Sequence, residues 1–537
     1  MMKSMPRGAP LGAAHRLTVM SYNLLAPIYV RPIDQRTGTV QAFAAFPWAE
    51  PADQVLDWAA RRPKLLEELK ASEADVICLQ EVQFEPTDGG NEFMLPSWLQ
   101  LDGYVTCIPG QKPLNDMAQR NERVLRVRAP VGNALLYRAD RLEAAEGTTK
   151  GKIEQSTTRV GVCVRGRANS GLASLDRLAL FSVHLDATAE DKRVKALAKC
   201  LEYARQSFGT RNVLIAGDLN AELLPGSCVA SMVRSDAGVA TSDSEPTEEE
   251  MQRECASALR LGVEQPVDDA TGEGEDGNGS ASVAGSETAA EKEGQKERSQ
   301  PSAAQMAAWK QLYESARTVP GQQRIELHRV PTGATRAAYD HGRDTGPCAK
   351  WRLDHILFTP RALSLSSWTA TLEAHPEAAA AGLPTVGYPS DHLFIGASFE
   401  PLEPPVLQEA TRVGLLDRIE ALLEAQASER AELSATLADE VRALEEVERA
   451  RQAVDVGDAD EEPSSTVKDF GKKPKKKKKG APPSAEMQTL LRSRRERERA
   501  LKAAQRARRE AEFAALGEPE RDALEAAAVD LVGPETE

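Results

Sequence analysis

The sequence predicts an α/β layered domain over roughly the first 400 residues of the 537-residue chain. Apolar, β-rich runs of strand length alternate there with segments of helical periodicity, which is typical of helices packed against sheets. Most of the runs end in polar residues, as strands do where they leave a core. Hydrophobic residues make up 41% of the chain and aromatic residues 5%, so we expect a core diluted by sequence outside it.

Eight apolar runs predict buried strands, and two other segments predict helices. In chain order the runs are LTVMSYNLLA, ADVICLQEV, VGNALLYR, VGVCVRG, LALFSVHLDA, NVLIAGDLNA, RLDHILFTP and LFIGASFE. Residues 61–70 (RRPKLLEELK) predict a helix with Pro63 near its first turn, where proline is tolerated. Residues 191–208 predict a second helix from the spacing of Val194, Leu197 and Leu201.

The net charge of −15 is concentrated in one segment, residues 242–300. This segment contains sixteen acidic and five basic residues, a balance of −11, and almost no large apolar residues. Such a composition cannot bury enough apolar surface to offset the entropy of ordering, so we expect a disordered insertion in a surface loop. The remaining sequence is nearly neutral, and the overall charge therefore says little about a functional site.

The predicted organisation begins with a disordered N-terminus at residues 1–16 and the α/β domain at residues 17–400, interrupted by the acidic insertion. A helical segment follows at residues 401–452, and then a disordered basic linker at residues 453–485 that contains KKPKKKKK. A charged helical tail covers residues 486–537. The lysine run fits a solvated linker, a targeting signal or an RNA contact. The tail fits a lone charged helix or a docking element for RNA or protein.

The cysteines and the apolar runs bear on the cellular compartment. Seven cysteines are scattered without a C-x-x-C pair, which favours a reducing compartment and argues against a thiolate zinc site. The N-terminal residues contain no apolar stretch typical of a signal peptide, and no run approaches the length of a membrane span. We therefore expect a soluble cytoplasmic protein without membrane contact, with the nucleus as the alternative location.

Polar residues that carry chemistry follow the predicted strands. They are Asn23, Glu81, His184, Asp218, Asn220, Asp354, Asp391 and His392. Each alone is more often a capping or loop residue, but the set combines carboxylates, amides and imidazoles. Carboxylates suit Mg²⁺, an amide can donate to phosphate oxygens, and a His–Asp pair can stabilise charge on phosphorus. This combination indicates phosphate-ester hydrolysis, and no Walker, H-E-x-x-H or G-x-S-x-G motif offers a rival chemistry.

The segments SYNLLAPIY, GDLN, DHI and LPTVGYPSDHLFIGASF stand in an order that resembles the endonuclease/exonuclease/phosphatase superfamily. The likeness covers residues 17–400 without the insertion. It is greatest to the branch that holds the carbon catabolite repressor type deadenylases, nocturnin and the Angel proteins. The resemblance implies an α/β sandwich, two stacked mixed β-sheets flanked by helices. It also implies a hydrolase that uses Mg²⁺ or Mn²⁺ and acts on RNA or a nucleotide.

The resemblance also implies roles for the candidate residues. Glu81 would be the principal metal ligand, with Asn23 beside it and Asp391 on the metal side. His184 and Asn220 would contact the scissile phosphate of the substrate.

The remaining catalytic roles fall on three residues. Asp218 would orient or activate the attacking water. His392 would stabilise the developing charge or act as a base, held in its tautomer by Asp354. His355 stands where this branch usually has tyrosine, and we interpret it as a packing residue.

Two departures from the family pattern leave the substrate open. VGNALLY replaces an Asp-Gly-Cys-Ala type strand, and GDLN is followed by Ala-Glu where deadenylases have serine. The leading hypothesis is a 3′–5′ exoribonuclease, poly(A)-specific or related, that releases 5′-monophosphates. One alternative is a phosphatase or phosphodiesterase for a small molecule such as a nucleotide 2′-phosphate or an inositol phosphate. Another is a non-catalytic RNA-binding scaffold.

Overall fold

The computed structural model describes residues 4–5, 15–30, 46, 48–90, 92–145, 156–233, 235–236, 245–263, 300–317, 325, 327–339, 348–402, 425–443, 446–447 and 485–514. Within these residues the predicted α/β sandwich is confirmed, because two seven-stranded mixed sheets stack face to face between helices.

The strands divide between the two large sheets and two short hairpins. In chain order they are β1 (Ser4–Met5), β2 (Leu17–Asn23), β3 (Val76–Gln83), β4 (Glu85–Pro86), β5 (Phe93–Met94), β6 (Tyr104–Cys107), β7 (Val131–Arg138), β8 (Leu142–Ala144), β9 (Arg159–Gly166), β10 (Leu178–His184), β11 (Val213–Asp218), β12 (Ser235–Asp236), β13 (His328–Arg329), β14 (Arg336–Ala338), β15 (Ala349–Trp351), β16 (Asp354–Phe358), β17 (Leu363–Thr369) and β18 (Ile395–Pro401). The first sheet has the order β1-β17-β18-β2-β3-β7-β6, and the second has the order β12-β13-β16-β11-β10-β9-β8. The hairpins are β4-β5 and β14-β15.

The described residues also form α-helices. They are α1 (Pro27–Val30), α2 (Ala52–Val55), α3 (Trp58–Ser72), α4 (Gln111–Leu125), α5 (Glu190–Gln206), α6 (Glu248–Val263), α7 (Ala303–Arg317), α8 (Pro376–Ala381), α9 (residues 425–443) and α10 (Ala485–Ala514). Apolar side chains of α3 and α4 pack on the first sheet, and those of α5, α6 and α7 pack on the second. The result is an α/β/β/α layering with the central core between the sheets.

Side-chain alternation assigns each strand residue to a face. In β11, Leu214 and Ala216 lie in the core between the sheets, while Ile215 packs on the outer helices. In β2, Leu17 and Val19 lie in the same central core. Residues of matching parity at the ends of these strands therefore face the seam between the sheets.

Each of the eight predicted strands and both predicted helices is present. Sequence reasoning missed β6, which is only four residues long, and β17, whose alternating Leu-Ser pattern is typical of a half-buried strand. It also missed α4, whose polar face is dominated by charged residues.

The prediction of a fully disordered N-terminus is wrong at one point. Ser4 and Met5 form β1, which pairs in parallel with Trp368 and Thr369 of β17. The backbone of β17 would otherwise present unpaired amides and carbonyls along a sheet edge, and β1 pairs with part of it. The other residues before His15 lie outside the described part of the chain.

The prediction that residues 242–300 are disordered is wrong for its first part. Residues 248–263 form α6, and Cys255 on this helix is 2% exposed. Met251 and Ala258, one turn to either side of Cys255, pack against the core that contains Trp309 of α7. The composition of the whole segment concealed an amphipathic helix at its start, because the acidic residues lie mainly in its first turn. Residues 264–299 lie outside the described part.

Deleting residues 248–263 should lower the melting temperature by about 5 °C or more, because it removes apolar contacts from the core under the second sheet. A matched deletion of residues 268–283, equally long but without leucine, isoleucine, methionine or aromatic residues, should leave the melting temperature unchanged. Differential scanning calorimetry of both deletions tests this. Equal melting temperatures for the two would show that α6 contributes nothing to stability.

The C-terminal unit, Pro405–Glu537, contains two described helices that lie side by side. Gln505 Nε2 donates to the carbonyl of Gln426 at 3.0 Å, and Arg497 pairs with Glu440, so α9 and α10 run antiparallel. Leu437 of α9 is buried. One of the two alternatives for the arginine-rich tail, a lone helix, is therefore wrong, because Arg497 and Arg508 pair with Glu440 and Glu429 of α9. The basic run at residues 472–479 lies outside the described part.

None of the helices in the described part of the chain is both long enough and apolar enough to cross a membrane.

Candidate active site

The ends of β10, β11 and β16 bring three candidate residues into one row. Strand register places His184 opposite Asp218, and Asp218 opposite Asp354. Asp218 has the parity of the core-facing Leu214 and Ala216, so its side chain faces the seam between the sheets.

The same alternation separates Asp354 from its neighbour His355. Asp354 shares the parity of Ile356, which lies in the central core, whereas His355 shares the parity of Leu357, which packs on the outer helices. His355 Nε2 lies 2.8 Å from the Ala221 carbonyl, and burial lowers the pKa of His355 to about 3. A neutral imidazole bound to backbone agrees with the packing role that we interpret for it.

Glu81 reaches the seam through a bulge in β3. Strict alternation would turn Glu81 away from the central core, because Cys78 faces that core. The pairing of β3 with β7 shifts register between Leu79 and Val82, and Glu81 has a φ of 55°. The extra residue re-aims the carboxylate, as bulges next to functional sites do.

Asn23 links the two sheets. Its Nδ2 donates to Glu81 Oε1 at 3.1 Å and to Asp218 Oδ2 at 3.2 Å. Its Oδ1 accepts from the amide of Leu25 at 3.1 Å, which fixes the orientation of the side chain. Asn23 therefore holds a carboxylate of the first sheet against a carboxylate of the second.

The surroundings of Glu81 fit a divalent cation. Burial raises the pKa of Glu81, and the charge of Asp391 raises it further, against an opposing contribution from His184. Its Oε2 also accepts from the amide of Ala26 at 3.1 Å. A partly buried carboxylate with a second carboxylate nearby is stabilised by a cation, and oxygen donors of this kind suit Mg²⁺.

Asp218 lies between two imidazoles. Its Oδ2 is 3.7 Å from Nε2 of His184 and 3.7 Å from Nε2 of His392. Its Oδ1 accepts from the amide of Asn220 at 2.8 Å. Asn220 has a φ of 48° and donates its Nδ2 to the carbonyl of Leu185 at 3.0 Å, so backbone contacts fix the loop after β11.

His392 and Asp354 form a buried pair. Nδ1 of His392 lies 2.7 Å from Oδ2 of Asp354, and the side chains are 3% and 0% exposed. Burial alone would lower the pKa of His392, but the charges of Asp354, Asp391 and Asp218 together raise it to about 10. The ring is therefore an imidazolium at neutral pH, with both nitrogens as donors.

The ligand atoms of Asp218, Asp354 and His392 all lie within 4.8 Å of one another. Two of these three groups already contact each other, because Nδ1 of His392 lies 2.7 Å from Oδ2 of Asp354. Glu81 lies outside this cluster and is the metal ligand that the family resemblance implies.

Asp391 completes the set of eight predicted residues. Ser390 ties its loop to the first sheet, because its Oγ donates to the carbonyl of Asn23 at 2.6 Å. Oδ2 of Asp391 lies 3.5 Å from Nη2 of Arg336 on β14. The structure thus brings all eight predicted residues to one end of the seam.

Sequence reasoning missed Arg61, which lies on α3 and is 1% exposed. Its Nη2 donates to the carbonyls of Leu24 and Leu25 at 2.6 and 2.8 Å. Its Nε donates to the carbonyl of Pro389. One guanidinium therefore joins the loop after Asn23 to the loop before Asp391.

Arg61 also places a positive charge behind the carboxylates. Burial lowers the pKa of Arg61 to about 10, with Asp391, Tyr22 and Glu81 opposing, so the group is charged at neutral pH. Its spacing from Leu65 and Leu69, four and eight residues on, puts it on the buried stripe of α3. An arginine on an apolar stripe is the sequence signal that could have identified it.

This chain is similar to several solved structures, including these three. One is ANGEL2, a 2′,3′-cyclic phosphatase, in complex with adenosine-2′,3′-vanadate: the identity is 16%, the match covers 72% of this chain and 96% of that one, and the TM-score is 0.39. The human nocturnin catalytic domain is 16% identical over 72% and 94% of the chains, with a TM-score of 0.32. A humanized D. rerio TDP2 is 12% identical over 72% and 99%, with a TM-score of 0.30. A comparison with curated proteins finds no match.

The family model described as "Endonuclease/Exonuclease/phosphatase family" matches residues 20–392. This range begins in β2 and ends at His392, so it includes strands of both sheets and every candidate residue. The chain belongs to the endonuclease/exonuclease/phosphatase family, whose members are hydrolases that act on phosphoester bonds.

Proposed function

We propose that the chain hydrolyses RNA from its 3′ end, with a divalent cation, and releases nucleoside 5′-monophosphates. The observation that carries this proposal is the position of the Asp218 carboxylate between the Nε2 atoms of His184 and His392, 3.7 Å from each. A carboxylate in this position can orient and deprotonate a water. The two imidazoles can then hold the phosphate that the water attacks.

The remaining residues would prepare the reacting groups. His392, charged and held by Asp354, would donate from Nε2 to a phosphate oxygen as negative charge develops on it. Asn220 would lie at the same phosphate, on a loop that its own backbone contacts fix. Fixed donors cost little reorganisation during the reaction, which is why such contacts accelerate phosphate chemistry.

Glu81 would hold Mg²⁺ or Mn²⁺, with Asp391 on the same side and Asn23 orienting the carboxylate. When bound, the cation would supply positive charge beside the phosphate oxygens.

A substrate panel tests the proposal. Poly(A), mixed-sequence RNA, 2′,3′-cyclic nucleotides, NADP and inositol phosphates would each be incubated with Mg²⁺ or with excess chelator. We expect 5′-monophosphates to be released stepwise from the 3′ end of 5′-labelled RNA, in Mg²⁺ only. Asp218→Asn should be inactive, and Asp140→Asn, at an exposed carboxylate paired with Arg138, should be fully active. Hydrolysis of the small molecules but not of RNA would contradict the exonuclease function and identify a small-molecule phosphatase instead.

Docking of RNA or protein through the basic C-terminus stays a prediction. Some arginines of α10 already pair with acidic residues, as Arg497 does with Glu440 and Arg508 with Glu429. The salt dependence of RNA binding, with and without residues 405–537, would measure any contribution from this unit.

A further inference from the structure

Arg336 stands beside the candidate active site. Its backbone segment is held by contacts with the two segments that contain His392 and Asp354. The amide of Leu393 donates to the Thr335 carbonyl at 2.8 Å, and Arg336 forms an antiparallel bridge with His392. Thr335 Oγ1 also accepts from the amide of Asp354 at 3.3 Å. The position of Arg336 is therefore fixed relative to both members of the His392–Asp354 pair.

Within the described part of the chain, only some of the N–H groups of the Arg336 guanidinium have a partner. Its Nη2 lies 3.5 Å from Oδ2 of Asp391, and its side chain is 37% exposed. Its Nε is buried and, among the residues that the structure describes, has no hydrogen-bond partner. A guanidinium offers five donors in a planar fork that matches two phosphate oxygens. Arg336 thus presents unused donors and a permanent positive charge at the site.

Charge balance favours an anion at this position. Glu81, Asp218, Asp354 and Asp391 place four carboxylates at the end of the seam. A second nearby guanidinium, that of Arg61, is buried in the interior. A polyanionic substrate that approaches these carboxylates needs an accessible cation of the protein as well as a metal.

We propose that Arg336 binds a second phosphate of the substrate, the one that adjoins the scissile phosphate on its 5′ side. The guanidinium of Arg336 contacts Asp391. The two residues that would contact the scissile phosphate, His184 and Asn220, lie beside Asp218 instead. Arg336 therefore stands next to the scissile phosphate and not at it. This inference rests on the proposed exonuclease function. It narrows the substrate class to molecules with two neighbouring phosphate groups.

Kinetics on two short substrates test the inference. A dinucleotide with a single phosphodiester and the same dinucleotide with a 5′-phosphate would be compared in wild type and Arg336→Gln. We expect Arg336→Gln to raise KM about tenfold for the 5′-phosphorylated substrate only, with kcat unchanged, because one charge-assisted contact is lost. Arg336→Lys should restore part of the preference, since a lysine keeps the charge without the fork.

Arg165→Gln is the matched control. Arg165 is likewise paired with a carboxylate, Glu143, and its side chain is 40% exposed. This control should leave both KM values unchanged. An equal fall in kcat on both substrates would overturn the inference, because Arg336 would then act through Asp391. An unchanged preference for the 5′-phosphate in Arg336→Gln would overturn it as well.

A binding measurement separates this inference from the proposed function. Calorimetry with adenosine 3′,5′-bisphosphate and with adenosine monophosphate requires no turnover. Tighter binding of the bisphosphate in wild type, lost in Arg336→Gln, supports the inference even if neither dinucleotide is hydrolysed. Equal affinities of the two ligands in wild type would overturn it, even if RNA is hydrolysed.

Discussion

Replacing Glu81 with glutamine should lower kcat for phosphoester hydrolysis by about a thousandfold and abolish the stimulation by Mg²⁺. The substitution keeps the size of the side chain and removes the negative charge. In the metal-free protein, burial and Asp391 disfavour that charge, so Glu81→Gln should fold well and melt no lower than wild type. Loss of activity together with full stability would identify Glu81 as a cation ligand.

Two measurements and one control make this prediction specific. Mg²⁺ should raise the melting temperature of wild type in proportion to the logarithm of its concentration, and Glu81→Gln should not respond. Glu85→Gln, at the exposed first position of β4, should behave as wild type in both assays. A Glu81→Gln protein that keeps its Mg²⁺-dependent stabilisation would move the metal site to other carboxylates.

Replacing His392 with glutamine should lower kcat by about a thousandfold, because the substrate loses a charged donor that is already oriented. Asp354→Asn should have a large effect as well, since the amide no longer stabilises the imidazolium. The double variant should be no slower than His392→Gln alone, because the two residues act as one unit. Single-turnover kinetics on one RNA substrate would measure all three rates.

The stability of these variants provides the control. His392→Gln leaves Asp354 without its charged partner at a position that is fully buried, so this variant should also unfold more easily. The double variant removes both charges and should recover part of the lost stability. Additive losses of rate in the double variant would show that the two residues contribute independently.

The sequence predicted the strands and the strand-end residues because both depend on local patterns. Asp218 and Asn220 follow a buried run directly, and alternation along that run places Asp218 on the correct face. Glu81 is different, since alternation alone turns it away from the seam. The family resemblance identified it, but the bulge that re-aims it has no signature in the run VICLQEVQ.

Arg61 and α6 show why other features could not be predicted from the sequence. A charged residue in a helical pattern is normally solvated, and only the spacing of Arg61 from Leu65 and Leu69 contradicts that interpretation. The partners of Arg61 are backbone carbonyls more than thirty residues away, which no sequence pattern encodes. The helix α6 escaped because the composition was averaged over a segment much longer than the helix.

Asn23 and Asp218 belong to different sheets, and the 3.2 Å hydrogen bond between their side chains crosses the interior of the molecule. The candidate catalytic residues are therefore divided between two separately hydrogen-bonded sheets, and the packing of these sheets against each other keeps the residues aligned. Heating that loosens this packing would separate the candidate residues of the first sheet from those of the second, while the hydrogen bonds within each sheet remain intact. Activity should then be lost at a lower temperature than the one at which the protein melts. The packing between the two sheets would set the upper temperature limit of activity.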